Sequence, residues 1–396
     1  MRPIKILQNN LSVGFEFLHA RQQASVWRAV EALIHGGRLW LTALGRDMRG
    51  TALEKHRIKA ADRLLGNTAI QRGLSEMYRV LAAWMLRRIA RPVILVDWTG
   101  CGPEQVMLRA GLPFGGRSIL LHAVVVPQSK VSRPDVHKKF LATLAKILPS
   151  HCRPIIVTDA GFHHRWFAQV RALQWDFIGR VRGGYHVTID GEKMHFKKLF
   201  SRAKRRPIDL GLVELGAKRR DARRLVLSGK PKLKGRKRLT RKGKRGKSGF
   251  DRAHSNGAKE PQLLATSLTC CARLVVETYA TRMQIEESFR DLKSHRFGWE
   301  FCSARSRNPK RIEVLMMLAT LASVVLLMVG AAAERLRLER QFQANTIRKR
   351  RVLSLITLGR RIIHRAIHIA SHELHAALAE IHSTLQAANP LRDLTI

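Results

Sequence analysis

The chain has 396 residues, and its 73 lysines and arginines stand against 29 acids, a formal charge of +44. That length allows two or three domains with sizeable cores, and that charge excludes a chain without a polyanionic partner, nucleic acid being the simplest. Five cysteines with no Cys-x-x-Cys pair and no zinc spacing argue against disulfides and structural zinc.

Residues 1 to about 85 read as helices. The opening MRPIKILQNN lacks the apolar run and cleavage site of a signal peptide, which points to the cytoplasm or nucleoid. RLWLTALGRDM and RGTALEKHRIKAADRLLGN form two amphipathic segments with a glycine-containing break between them. The second carries Lys55, His56, Arg57, Lys59 and Arg63. This suits a helix-turn-helix-like unit whose second helix meets DNA; an ordinary basic surface helix is the plainer reading.

From residue 92 the texture changes. PVILVDWTG is a short β-branched run ending at Asp97, and QVMLRAGLPFGGRSILLHAVVVPQ reads as two strands about a Gly-Gly turn. SRPDVHKKFLATLAKILP is a helix with Ser132 as its cap and Pro134 in its first turn. PIIVTDAG is a buried-type strand ending at Asp159, FHHRWFAQVRALQWD a helix, and DFIGRVRG a further strand. Strands followed by a β-α-β unit indicate an α/β layer with a mixed sheet.

Residues 184 to about 262 break the pattern. Between 218 and 247, 16 of 30 residues are lysine or arginine, and only Asp221 opposes them. Such a block reads as a loop that is mobile without its partner, and GKSGFDRAHSNG, near 245–258, reads as a linker. LLATSL at 263–268 resumes strand texture, and from about 305 the chain is helical. VLMMLATLASVVLLMVGAAA, residues 314–333, has no charge over 20 residues and is long enough to span a bilayer. Basic residues flank both sides (Arg307, Lys310, Arg311; Arg335, Arg337, Arg340), so no positive-inside asymmetry supports a span, and an all-apolar helix also suits a soluble core.

The segment ETYATRMQIEESFRDLKSHR, 277–296, carries the chemistry. Read as one helix, it places Tyr279, Arg282, Glu286 and Lys293 within a sector roughly 60° wide, with Arg290 at its edge. Ile285, Phe289 and Leu292 form a core-facing stripe. A solvated face with i,i+4 pairing is the bland alternative. Asp97 and Asp159, each closing an apolar strand, stand where α/β sheets place ligand-binding residues. Three carboxylates gathered at one point repel one another, and a divalent metal removes that conflict. Oxygen ligands suit Mg²⁺ or Mn²⁺ rather than zinc.

The pattern Y-x2-R-x3-E-x6-K, filled by Tyr279, Arg282, Glu286 and Lys293, resembles the signature of bacterial insertion-sequence transposases of the DDE type. VDW at 96–98, TDAGF at 158–162, RVRG at 180–183, KEPQLLAT at 259–266 and FQANTIRKRRVLS at 342–354 resemble the same proteins in the same order. The likeness is greatest to the cut-and-paste transposases of composite antibiotic-resistance transposons. It implies an RNase H-like catalytic core with a mixed sheet, interrupted by a β-rich insertion and flanked by helical regions. The division it implies is 1–85 for DNA-end binding, 86–183 and 263–336 for the two parts of the core, 184–262 for the basic insertion, and 337–396 for dimerisation and DNA contact. It further implies Asp97, Asp159 and Glu286 as the metal-holding acids, with two Mg²⁺ ions that Mn²⁺ can replace. Tyr279, Arg282 and Lys293 would hold phosphates of double-stranded DNA, with Arg290, Arg180 and Arg182 as further contacts, and the protein would act as a homodimer with 314–333 inside its soluble core. One departure stands out: where similar transposases have a tryptophan after Glu-Pro, this chain has Gln262, which cannot stack on a flipped base.

Overall fold

A computed structural model describes residues 2–102, 104–182, 186–189, 191–215, 221–229, 260–296, 298–344, 346 and 350–387. The basic block at 218–247 and the linker near 245–258 fall largely outside the described residues. The chain divides into two compact units, residues 1–154 with 281–392, and residues 155–280.

The first unit opens with five helices: α1 (Arg2–Leu11), α2 (Ala20–Gly36), α3 (Leu41–Asp47), α4 (Glu54–Gly66) and α5 (Thr68–Leu86). Then come three antiparallel strands, β1 (Val93–Gly100), β2 (Gln105–Phe114) and β3 (Arg117–Pro127). Gly115 and Gly116, at φ +56° and +83°, make the tight turn between β2 and β3 that only residues tolerant of left-handed backbone allow. Helix α6 (Pro134–Ile147) follows, capped by Arg133 rather than Ser132. Pro134 pushes the residue before it into extended backbone, so the cap falls at Arg133, and Ser132 takes the left-handed turn at φ +59°.

The same unit resumes after residue 280 with α9 (Met283–Lys293), α10 (Pro309–Arg335), α11 (Leu355–His364) and α12 (Ser371–Ala387). Helix α10 is the apolar segment, and 94% of its most apolar window is buried inside the protein. It packs on α2, α5, α11, α12 and β3, which accounts for its lack of a polar face. Gly330 of α10 and Gly359 of α11 let the two backbones touch. A β-carbon on either would come within 2.1 Å of a carbonyl oxygen on the other helix, that of Leu355 or Leu326. Glu313, buried in the first turns of α10, accepts the Val125 amide at 3.1 Å and the Lys310 ammonium at 2.8 Å, so an amide of β3 is satisfied by a side chain.

The second unit begins with β4 (Ile155–Thr158), α7 (His164–Ala172) and β5 (Asp176–Val181), a parallel β-α-β step. Strands β6 (His186–Ile189), β7 (Glu192–His195), β8 (Ile208–Leu215), β9 (Asp221–Leu227) and β10 (Leu263–Thr266) extend it by antiparallel pairing: β10 on β5, β9 on β10, β8 on β9, β6 on β8 and β7 on β6. The helix α8 (Ala272–Ala280) closes the unit. The expected β-rich insertion is present, since β6 to β9 lie between residues 186 and 227. An antiparallel meander and a helix in the first unit and a parallel β-α-β step in the second make a mixed α/β fold, as expected.

Candidate active site

Asp97 is 9% exposed and its Oδ1 accepts the Trp98 amide at 2.8 Å. It does not close its strand, as the sequence suggested. β1 runs on to Gly100 because residues 97–100 stay paired with Arg109 to Val106 of β2. Glu286 sits in the first turn of α9, where the helix dipole favours a carboxylate. Arg282 spans the two acids. Its Nη1 lies 3.4 Å from Asp97 Oδ2 and its Nη2 2.5 Å from Glu286 Oε1. Asp97 and Arg282 side chains are each 12% exposed, whereas Glu286 is 41% exposed.

The signature is not borne on one continuous helix. α8 ends at Ala280 and α9 starts at Met283, and the Gln284 and Ile285 amides reach back three residues to Thr281 and Arg282. Ile285, Phe289 and Leu292 are buried as expected. Lys293, in the last turn of α9, donates to Thr99 Oγ1 at 2.8 Å, tying the helix to the end of β1. Arg117 of β3 pairs with Asp291 at 2.5 Å, and Ser288 accepts the Ser118 amide at 2.7 Å. Three elements of side-chain chemistry thus fix α9 on the meander. Arg290 is spent on Glu287, at 2.7 Å, with its side chain 65% exposed.

In the second unit Asp159 directly follows β4, and its Oδ1 accepts the Gly161 amide at 2.8 Å. A β-carbon at 161 would come within 3.1 Å of that oxygen, so glycine there leaves the carboxylate free to move. Tyr279 is 5% exposed, packed into its unit at the end of α8. Arg180 is half-buried in β5 and Arg182 is exposed just beyond it. Gln262 is locked by its backbone: its amide donates to Ser228 Oγ at 2.6 Å, and its carbonyl accepts the Ser228 amide at 2.8 Å.

On α4, Lys55, His56, Lys59 and Arg63 are exposed. Arg57 is half-buried and donates to the Met48 carbonyl at 2.6 Å, so it joins α4 to the end of α3. Sequence reasoning missed the bridging position of Arg282 and the buried Arg109. A lone arginine in the apolar run VMLRAGL was the available signal.

Asp97 and Glu286 offer oxygen donors within reach of one shared cation, the donor chemistry a hard divalent ion requires. Among the described residues, no three His, Cys, Asp or Glu side chains form a metal-holding group. All five cysteines are free; burial raises the thiol pKa of Cys152 to about 12 and that of Cys101 to about 11, the latter opposed by the Lys293 charge.

No curated protein matches the chain. Among solved structures, the cryo-EM structure of a piggyBac transposase synaptic complex with hairpin DNA aligns at 10% identity and TM-score 0.40, over 92% of this chain and 76% of that one, a likeness too slight to carry weight. The transposase DDE domain, by contrast, matches residues 90–324, more than half of the sequence, and the chain belongs to that family of transposases.

Proposed function

We propose that this chain excises an insertion sequence at its terminal inverted repeats and joins the freed 3′-hydroxyl ends to target DNA, as a cut-and-paste enzyme similar to the transposases of composite resistance transposons. The observation that carries the reading is the Asp97–Arg282–Glu286 cluster. Two acids of the expected triad already converge on one cation, in a family that depends on divalent metal. Asp97, Asp159 and Glu286 would hold that metal, Mg²⁺ with Mn²⁺ as a substitute, and it would supply charge stabilisation for phosphodiester cleavage and joining.

The rest is positioning. Arg282 leaves the acids for a DNA phosphate, and Lys293, standing on Thr99, binds a second. Phosphate contacts of this kind fix register while base contacts specify. Tyr279 acts on the DNA end through its packing in α8. Lys55, Lys59 and Arg63 of α4 form an exposed basic stripe that meets the end-proximal duplex, with Arg182 and the exposed face of Arg290 as further contacts. Hydrolysis exposes a 3′-hydroxyl, which attacks the opposite strand to give a hairpin. Water reopens it, and the hydroxyl then attacks target DNA. The two hydrolyses each trade a P–O(3′) bond for a P–OH bond and leave a 5′-phosphate beside the freed 3′-hydroxyl, and the two hydroxyl attacks each exchange one phosphodiester P–O bond for another, so no covalent protein–DNA intermediate is required. Holding both ends in line is the entropic part of the work. Two ends require two active sites, which supports a homodimer on DNA with residues 337–396 in contact. The protein works at the nucleoid, in the cytoplasm.

Gln262 favours a second reading, a chain that binds ends without cutting; a nuclease of the same fold, cutting without joining, is separated by the same test. The test uses purified protein, a DNA fragment bearing both ends, and Mg²⁺, with Glu286→Gln as control. Flush excision and joining to a second DNA, absent in the control, is the expected result. Cleavage without joining would leave the nuclease, and tight end binding without cleavage in Mg²⁺ or Mn²⁺ would remove catalysis altogether.

A further inference from the structure

Arg109 lies in the middle of β2, the single charge in an apolar run, and is 6% exposed. Its guanidinium sits 5.2 Å from the centre of the Phe289 ring. Its Nε is sealed from solvent and donates to nothing among the described residues, and no carboxylate there pairs with it. Its polar neighbour Tyr78 supplies no counter-charge, because burial drives that phenol's pKa far up and keeps it neutral. Burial lowers the arginine's own pKa only to about 10, so it stays cationic at neutral pH. An unpaired buried charge is among the costliest features a core can hold. Something must balance this one.

Beside the guanidinium is a pocket of about 50 Å³, lined among others by Arg109, Arg117, Ser118, Ser288, Asp291 and Thr320. Its other charges cancel: Arg117 is paired with Asp291 through two contacts, at 2.5 and 3.3 Å. Three of its hydroxyls are bonded locally, Ser118 to Ser288 at 3.1 Å and Thr320 to the Met316 carbonyl at 2.7 Å, and Ser323 adds a fourth hydroxyl to the wall. The wall therefore carries one uncompensated positive charge and no spare carboxylate. One water needs roughly 10–15 Å³ measured in this way, so the space exceeds a single water and suits a monatomic anion with a little hydration.

We propose that this pocket is a binding site for a small inorganic anion of halide size, which serves as counter-ion to Arg109. The anion lies under the acid-bearing helix. Phe289, stacked on Arg109, is one turn beyond Glu286, and Asp97 is the residue paired across the strands with Arg109. Neutralising the guanidinium fixes the ring on which that helix rests, away from the reacting atoms. The site stands whether or not the chain joins DNA.

The deciding experiment is diffraction from crystals of the full chain in bromide. An anomalous peak in the pocket beside Arg109 is expected, and water alone at that place would overturn the proposal. In solution, thermal unfolding of the DNA-free protein is followed at constant ionic strength while gluconate is replaced by bromide. A saturable rise in Tm of about 2–4 °C is expected for a site filled well above its Kd. Arg109→Met should lose that rise while Arg109→Lys keeps part of it. An equal bromide response in wild type and Arg109→Met would assign the effect to the basic surface and refute the site.

Discussion

Arg282 lies between Asp97 and Glu286, where the proposed divalent ion would bind, so replacing it with glutamine should tighten metal binding in the absence of DNA. The size of the effect follows from the two contacts. The bond to Glu286 is short, but that carboxylate is 41% exposed, and such a pair contributes only ~0–1 kcal/mol. The bond to Asp97 is longer at 3.4 Å, yet both partners are 12% exposed, and a charged hydrogen bond in that setting contributes ~1–2 kcal/mol. Together the metal competes against ~1–3 kcal/mol, so Arg282→Gln should bind Mn²⁺ about 5- to 150-fold more tightly than wild type. Calorimetric titration of the DNA-free protein reads this directly. The variant should also unfold at lower temperature without metal, because it leaves two carboxylates facing each other, and should recover when Mg²⁺ is added. On the proposed reading a DNA phosphate would draw Arg282 away from the acids in wild type, so adding a transposon-end duplex should narrow the affinity gap. Metal affinity unchanged or weakened in DNA-free Arg282→Gln would refute the reasoning, because the guanidinium would then be no competitor.

Three further outcomes are expected. Gly330→Ala forces a β-carbon against the Leu355 carbonyl and should destabilise the protein by about 1–3 kcal/mol, seen as a fall in Tm of several degrees. Burial, aided by the Lys310 charge, lowers the His122 pKa to about 3; the unfolded chain takes up a proton near pH 6.5 that the folded one refuses. Stability from this group is therefore full above pH 6.5 and falls as pH drops toward 3, by up to ~4–5 kcal/mol at the acid end; urea unfolding of His122→Phe should show a shallower slope between pH 6.5 and 4.5, and an unchanged slope would remove the assignment. Lys59→Ala and Arg63→Ala should each reduce the salt slope of DNA binding by about 1 with little change in Tm, whereas Arg57→Ala should lower Tm by losing its bond to Met48.

Much of the fold was legible because hydrophobic period and turn chemistry are local. The Gly-Gly hairpin, the helical character of residues 1 to about 85 and the β-α-β step around Asp159 all follow from residues within a few positions of one another. What failed was the end of an element. β1 outlasts Asp97 because its length is set by the partner strand, whose residues Val106 to Arg109 sit in register with 97–100. The cap of α6 moved one residue because the proline acted on its predecessor more strongly than serine acted as a cap. Helix α10 could not be assigned by composition, since an all-apolar helix satisfies a bilayer and a core equally. What distinguishes them is tertiary: 94% of its most apolar window is covered by the rest of the protein, which no local pattern reports.

The candidate site shows the same division more sharply. Residue spacing identified the four signature positions, but through a single helical face that the chain does not build. Tyr279 ends one helix, Arg282 lies in the turn, and Glu286 and Lys293 belong to the next helix. Their spacing is therefore better understood as separate constraints. Three residues carry the chain from a buried tyrosine to a guanidinium at the helix start. A further helical turn sets Glu286 beside that guanidinium, with Nη2 and Oε1 2.5 Å apart. Nearly two turns more bring Lys293 to Thr99, two residues beyond Asp97 on β1. Glu286 and Lys293 are thus each referred to the same strand, one through Arg282 and the other through Thr99. A shift of α9 by one residue would break both links and the Arg117–Asp291 pair together. A spacing of this kind can be specific without any one of its residues being so, because the strand it is measured against lies almost two hundred residues earlier in the chain, as the 185-residue separation of Asp97 and Arg282 shows.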